Sequence, residues 1–347
     1  MKMNRLGKTD IMVSELCLGT MTFGNQTPQA DAHRQMDMSL DAGINFLDAA
    51  EMYPVNPIAK ETIGLTEEIL GNWLGTSGRR NEWVVATKHS GEGMGYVRDG
   101  APISSETVPG AVEGSLKRLQ VDHIDLYQLH WPNRGAYMFR QNWFFDATKQ
   151  DRTSTLQNMA DVLGALGREV EKGRIRHIGL SNESAWGTMM WLQVAQSIAG
   201  PRIETIQNEY SLMCRLADTD LAEVMVHEGV SLLPFSPLAT GLLTGKYQNG
   251  VVPKGSRMSI SDSLGGRKTD RAFAAVDAYA KVAQEAGLDL ALMSLAWSAR
   301  RPFVASSIFG ATTSEQLAHL LQAADLELSP DVMTALDETH KQHPMPY

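Results

Sequence analysis

Hydrophobic and polar positions along the chain alternate between two textures. Short, nearly continuous apolar runs occur at 15–20 (ELCLGT), 44–49 (INFLDA), 83–88 (WVVATK) and 124–130 (IDLYQLH). Four more follow at 175–181 (IRHIGLS), 204–209 (ETIQNE), 230–236 (VSLLPFS) and 303–310 (FVASSIFG). Runs this short, without alternation, predict strands covered on both faces, as in a parallel sheet. Between them lie longer segments with helical spacing. Segment 28–43 sets Ala32, Met36 and Leu40 on one stripe and ends at Gly43, where a helix C-cap belongs. Segment 104–120 opens with Ser and Glu and closes with Lys and Arg, which suits the helix dipole. Segments 155–173, 183–200, 216–229, 270–287, 289–300 and 313–324 have the same texture.

Eight strands interleaved with helices predict an α/β fold, a (β/α)8 TIM barrel that takes up residues 1–347 as a single domain. Residues 1–14 precede the first strand and predict a β-hairpin closing the barrel bottom. An open doubly wound sheet is the structural alternative. It expects a G-x-G-x-x-G turn after the first strand, and none is there; GEGMG at 91–95 has the wrong spacing and follows the third strand, so it reads as loop. Two long loops interrupt the alternation, at about 131–154 after strand four and about 246–269 after strand seven. The first holds Trp131, Tyr137, Phe139, Trp143, Phe144 and Phe145, as an aromatic lid over a pocket or as a self-packed loop.

Composition narrows the function classes. Hydrophobic residues make up 43% of the 347, enough for a core of that size. The net charge is −9 without any Lys/Arg block, a surface that repels phosphate backbones, so no nucleic-acid partner is expected. No apolar stretch approaches the roughly 18–20 residues that span a bilayer. The first residues lack the apolar centre of a signal peptide, so no membrane association and a cytoplasmic location are expected. Cys17 and Cys214 belong to no C-x-x-C pair and read as packed thiols.

Catalytic groups of such barrels gather at the C-terminal ends of the strands. Those ends read Gly19-Thr20, Asp48, Lys88, His130, Ser181-Asn182, Gln207-Asn208 and Phe235-Ser236. Asp48, Lys88 and His130, with Tyr53 just past strand two, form a proton-transfer set. A free tyrosine titrates near pH ~10. A buried ammonium beside it favours the phenolate and is expected to lower that value. Burying Lys88 is costly unless a carboxylate pairs with it, and Asp48 is placed to do so. His130 can orient a carbonyl oxygen or share the proton. Glu51 reads as a solvated or capping carboxylate, and His89 as a supporting or exposed neighbour. A metal-dependent hydrolase using Asp48 and His130 is the weakest alternative, because no H-x-H pair or other ligand cluster accompanies them.

These residues sit within LGTMTFG (18–24), GINFLDAAEMY (43–53), ATKHS (86–90), SLKRLQVDHIDLYQLHWP (115–132), GRIRHIGLSN (173–182), IQNEYSL (206–212), FSPLATGLLTGKY (235–247) and FGATTSEQL (309–317). Together, and in this order, the segments resemble the aldo-keto reductases, in particular the Tas-like and channel β-subunit-related branch. The resemblance implies a (β/α)8 barrel, a tetrad of Asp48, Tyr53, Lys88 and His130 with Tyr53 as proton donor, and NADPH as cofactor without a Rossmann motif. It implies carboxamide contacts at Ser181, Asn182 and Gln207, and an aromatic face under the nicotinamide at Phe235. Gly19, Thr20, Met21 and Asp48 border the same site. Around the pyrophosphate it implies Ser236, Pro237, Leu238, Gly241, Leu243 and Lys246, with Arg257 as a further phosphate partner. Gly310, Thr312, Gln316 and Leu320 fall at the adenosine-phosphate end. There the chain departs from the family pattern: His319 and Leu320 stand where an acidic residue and Asn are frequent, and no arginine lies between Gly310 and Gln316. NADPH is therefore the expectation from resemblance, and NADH stays open.

The implied activity is reversible reduction of an aldehyde or ketone to an alcohol, as in NADP-dependent alcohol dehydrogenases. The alternative is a cofactor-sensing regulatory subunit with slow turnover. The carbonyl or alcohol substrate is expected to be small and partly apolar, with Met52, Tyr53, His130 and Trp131 lining its pocket. No metal site is expected.

Overall fold

The computed structural model describes residues 1–347. Two short strands, β1 (Met3–Arg5) and β2 (Met12–Ser14), pair antiparallel as the expected hairpin. The barrel strands follow in chain order: β3 (Leu16–Gly19), β4 (Phe46–Asp48), β5 (Val84–His89), β6 (Ile124–Leu129), β7 (Ile175–Ser181), β8 (Ile203–Gln207), β9 (Ser231–Leu232) and β10 (Ser307–Phe309). Neighbours pair parallel in the order β10-β3-β4-β5-β6-β7-β8-β9. Bridges Leu232–Val304 and Phe235–Ile308 join the two edges, which closes a (β/α)8 barrel.

The eighth-neighbour seam explains the main difference from the sequence pattern. Segment 230–236 was expected as one strand, yet the ladder stops after Leu232. Pro234 has no N–H to donate and breaks it. The chain remains extended: Leu233 N–H donates to Ile206 O, and Phe235 N–H to Asn208 O.

Helices α1 (Gln29–Asp41), α2 (Leu65–Thr76), α3 (Thr107–Leu119), α4 (Arg152–Glu171), α5 (Ala185–Ser197) and α6 (Asp220–Glu228) cover the first six crossovers. After β9 come α7 (Arg257–Ile260), α8 (Asp270–Glu285) and α9 (Leu290–Ala299); after β10 come α10 (Ser314–Leu321) and α11 (Pro330–Gln342). The pattern missed α2, α11 and the four-residue α7 inside the second long loop. In α2, Gly71 dilutes the helical signal, but an added Cβ there would stand 2.1 Å from Arg118 O, so close packing on α3 demands it. α11 carries a Ser329 cap and Pro at its first turn, start signals that were readable.

Side-chain parity along the strands places the site. Phe46, Ala86 and Leu126 point inward and pack with Leu6, Ile11 and Val13 of the hairpin region, which plugs the bottom. Two residues further along each strand, on the same face, come Asp48, Lys88 and Gln128. The interior thus changes from apolar to polar as the strands reach the upper rim. Residues of the opposite parity, Leu47, Val85 and Tyr127, face the helices in the main hydrophobic core.

Candidate active site

Lys88 is fully buried at the end of β5. Its Nζ donates to Asp48 Oδ2 at 2.6 Å and to the Ala49 carbonyl at 2.7 Å, and lies 5.0 Å from the centre of the Tyr53 ring. The His130 ring meets Tyr53 edge-on at 5.8 Å. The barrel therefore brings all four tetrad residues together.

The second Asp48 oxygen, Oδ1, accepts from Gln128 Nε2 at 3.0 Å and from Gln207 Nε2 at 2.9 Å. Gln128 was missed in the sequence, although it pairs in register with Lys88 and shares its inward parity with His130. With both oxygens engaged, the carboxylate cannot swing away from the ammonium. Burial opposes the Lys88 charge, but Asp48 and Tyr53 outweigh it and hold its pKa above the ordinary value.

Two further directions follow from burial. The Tyr53 pKa lies above the ordinary tyrosine value, because desolvation and Asp48 outweigh the Lys88 ammonium. This corrects the expectation of a lowered value. His130 is pushed well below the usual histidine range by burial and by the Lys88 charge, so its imidazole is neutral at pH 7. Its Nδ1 is buried without a hydrogen-bond partner.

Glu51 was expected to be solvated or capping, and His89 supporting or exposed. Both are buried. The Glu51 carboxylate accepts from Ser90 N–H at 2.6 Å and from both terminal nitrogens of Arg98 at 2.6 and 2.7 Å. A buried carboxylate is stable only when paired, and the pattern did not reveal Arg98 as the partner because a loop supplies it.

The nicotinamide nucleotide fits the groups that remain. Asn182 adopts a left-handed φ of 55°. Its Nδ2 donates to the His130 carbonyl and Ser181 Oγ, while its Oδ1 is buried with no partner, an acceptor suited to a carboxamide. Ser181 Oγ donates to Gln207 O at 2.8 Å. Both Gln207 amide hydrogens are engaged, by Asp48 and Gln128, which leaves Oε1 as its remaining polar atom. Phe235 and Ser236, the latter at φ 53°, lead into a tight turn through Pro237, Leu238 and Gly241, while Leu243 is core. Lys246 is exposed and pairs with no carboxylate; its Nζ lies 5.2 Å from the Tyr247 ring centre. Arg257 begins α7, mostly out of water, without a carboxylate partner, and desolvation lowers its pKa. Two unpaired cations beside one loop match a phosphate chain.

The remaining expected residues are more constrained. Thr20 donates its hydroxyl to Asp48 O at 2.8 Å, and Met21 packs beside Tyr53. At Gly19 a Cβ would crowd Ile308, and at Gly310 it would crowd the Gly19 carbonyl. Gln316 Oε1 accepts from the Thr312 N–H and hydroxyl, bracing that loop. Leu320 lies in the hydrophobic core, and His319 faces Asp289 at 3.5 Å.

Tyr53 is flanked by an apolar wall. Ala50, Met52, Val55 and Val97 form a buried cluster against which Met21, Met94 and Trp131 pack. Trp131 tilts over His130 at 4.9 Å and meets Phe139 edge-on at 6.4 Å. The aromatic loop is thus split: Tyr137 and Met138 face inward and line a cavity with Met213 and Cys214, whereas Trp143 and Phe144 face solvent. A cavity of about 310 Å³ opens next to the site between Trp131, Ser181 and Trp191. No group of three His, Cys, Asp or Glu side chains is arranged to hold a metal ion, and no helix is long and apolar enough to cross a membrane.

The profile of the aldo/keto reductase family matches residues 15–341. The chain is 42% identical to Protein tas of Escherichia coli, over all of this chain and 99% of that one. It is 31% identical to the uncharacterized oxidoreductase YrpG of Bacillus subtilis, over 97% and 95% of the two chains. A probable voltage-gated potassium channel subunit beta of Arabidopsis thaliana is 30% identical, over 99% and 98%.

Proposed function

The chain belongs to the aldo/keto reductase family, whose members are nicotinamide-dependent oxidoreductases, and from that premise we propose that it reduces aldehydes or ketones to alcohols, reversibly, with Tyr53 as the proton donor. The observation that carries the reading is the sealed Asp48–Lys88 pair beneath Tyr53, at 2.6 Å. A nicotinamide nucleotide held in this site would supply the hydride that the carbonyl carbon accepts. The protein residues handle the proton. Tyr53 stays protonated at neutral pH and can donate to the carbonyl oxygen. The Lys88 ammonium stabilises the phenolate that donation leaves, and Asp48, fixed by Gln128 and Gln207, keeps the ammonium in place. Neutral His130 orients the carbonyl without competing for its negative charge. Asn182, Ser181 and Gln207 would hold the carboxamide, Phe235 the ring face, and Lys246 and Arg257 the phosphates.

NADPH is the proposed nucleotide on the family resemblance; Lys246 and Arg257, two cations without carboxylate partners, would serve the pyrophosphate, which NADPH and NADH share. The adenine end offers little more, with His319 turned to Asp289 and Leu320 in the core. The apolar wall of Met52, Val55 and Trp131 favours partly apolar carbonyls. A second reading draws on the relative named as a potassium channel subunit: a nicotinamide-sensing subunit that turns over slowly.

Fluorescence titration with NADPH and NADH, then an absorbance assay against a panel of carbonyls, separates these. Tight NADPH binding with multiple turnovers supports the reductase. Tight binding with a single slow turnover for every carbonyl supports the sensing subunit. Failure to bind either nucleotide contradicts both.

A further inference from the structure

The buried carboxylate between Asp48 and Tyr53 plays no part in the proton relay above. Glu51 is 3% exposed. Its own N–H donates to Lys88 O at 3.3 Å, and its carboxylate accepts from Ser90 N–H at 2.6 Å. One residue thus bonds the backbone on both sides of His89, tying the turn before Tyr53 to the end of β5. The rest of the carboxylate is taken by Arg98, whose two terminal nitrogens reach it at 2.6 and 2.7 Å. Nη2 also reaches Ser90 O at 3.2 Å.

Arg98 stands on the loop 91–101, in a costly conformation. Arg98 and Asp99 both have positive φ, 48° and 54°, which non-glycine residues adopt only when the surroundings compel it. The same loop carries Met94 and Val97 onto Met52, Val55 and Tyr53. At its other end, Glu92 O accepts from Trp131 Nε1 at 3.1 Å, and the Trp131 ring fits only because residue 91 is glycine: a Cβ there would stand 2.3 Å from Nε1.

We infer that the Glu51–Arg98 pair is a positioning element that holds loop 91–101 as one wall of the carbonyl pocket beside Tyr53, and so confers selectivity for bulky, apolar carbonyls such as aromatic aldehydes. The inference rests on the reductase reading for the identity of the ligand. Neither residue touches the reacting atoms. They act through Met94, Val97 and the backbone of the Tyr53 turn. The wall selects by area: an aromatic ring can cover Met94 and Val97, whereas a two- or three-carbon aldehyde cannot.

The test is Arg98→Met in the full-length chain, compared with Arg98→Lys, which keeps a charge but loses the bidentate fork. Three readouts are taken: amide hydrogen exchange of 93–101, the dissociation constant for NADPH, and KM for benzaldehyde and for propanal. The expected result is faster exchange in the loop, unchanged NADPH affinity, and KM for benzaldehyde raised about tenfold or more. KM for propanal should stay within about twofold, and Arg98→Lys should fall in between. Unchanged exchange, or equal losses for both aldehydes and for NADPH, would overturn the inference. If Arg98→Met does not fold, Glu51→Gln combined with Arg98→Met removes both charges and is held to the same outcomes. A wild-type chain that reduces neither aldehyde counts against the reductase reading, while the exchange readout still decides whether the pair holds the loop.

Discussion

Tyr53 is a weaker acid than a free tyrosine because burial and Asp48 outweigh the Lys88 ammonium, and that direction has consequences for rate. Burial keeps the phenol protonated, and neutral His130 cannot take its proton near pH 7. For carbonyl reduction, kcat/KM should therefore be flat from about pH 6 to pH 9, and alcohol oxidation should rise with pH across the same range. An inflection near neutrality in the reductive profile would mean that another group donates the proton. Lys88→Met should lower kcat by about 100-fold or more, since it removes the charge that stabilises the phenolate and leaves Asp48 buried and unpaired. At this scale the four residues that the barrel brings together, Asp48, Tyr53, Lys88 and His130, were legible, because strand ends and the family segments mark them. The supporting residues were less so. Gln128 sat unnoticed two places before His130, and Glu51 looked like a surface carboxylate because nothing in the local pattern announces Arg98, 47 residues away. The sign of the Tyr53 shift was also missed: a positive neighbour is visible in sequence, but the depth of desolvation is not.

Among the elements, the strands were readable because a barrel strand is buried on both faces and so reads as a short, mostly apolar run. The short β9 shows the limit of that reading, since apolar character extends past Pro234 while the ladder does not. Helix α2 shows another. Its Gly71 weakens any helical pattern, and only the approach of α3 reveals the reason. Gly71→Val should therefore destabilise the protein strongly, despite valine's greater apolar area, because the side chain would meet the Arg118 and Leu119 backbone. A shift of the thermal midpoint downward by several degrees checks this; an unchanged or raised midpoint would mean that α2 and α3 part freely. The two long loops were visible as interruptions, but not their anchoring. Arg134 of the first pairs with Glu183, and Arg267 of the second with Glu209.

Over the whole molecule, the two loops meet at one carboxylate, the first through Arg140 and the second through Arg267. Glu209 follows β8 and is buried; its carboxylate meets Arg267 at 2.7 Å, Arg140 at 3.1 Å and the Tyr347 hydroxyl at 3.0 Å. Both long loops and the C-terminal residue are thereby fastened over one side of the barrel mouth. Glu209→Gln would leave two cations without their shared counter-charge, with an expected loss of about 3–5 kcal/mol in urea unfolding. Acid should loosen the molecule earlier than carboxylate titration alone would. His89 is buried and neutral, with its pKa lowered from 6.5 to about 4 by desolvation. A histidine depressed in the folded state contributes fully above its unfolded pKa. Its contribution is lost as pH falls from about 6.5 towards 4, where the unfolded chain binds a proton that the folded chain refuses. The unfolding midpoint should thus decline across that window, before Glu51, itself held low despite burial by Arg98, begins to protonate. A midpoint constant from pH 7 to pH 4.5 would contradict a neutral buried His89.

The most direct measurement of the central claim is the Tyr53→Phe variant, in which NADPH affinity and the rate of carbonyl reduction are determined side by side. The variant removes one hydroxyl and none of the groups assigned to the nucleotide. NADPH affinity should remain within about twofold, while turnover should fall by about 100-fold or more. A variant that binds NADPH normally and keeps more than about a tenth of the rate would show that the proton comes from elsewhere.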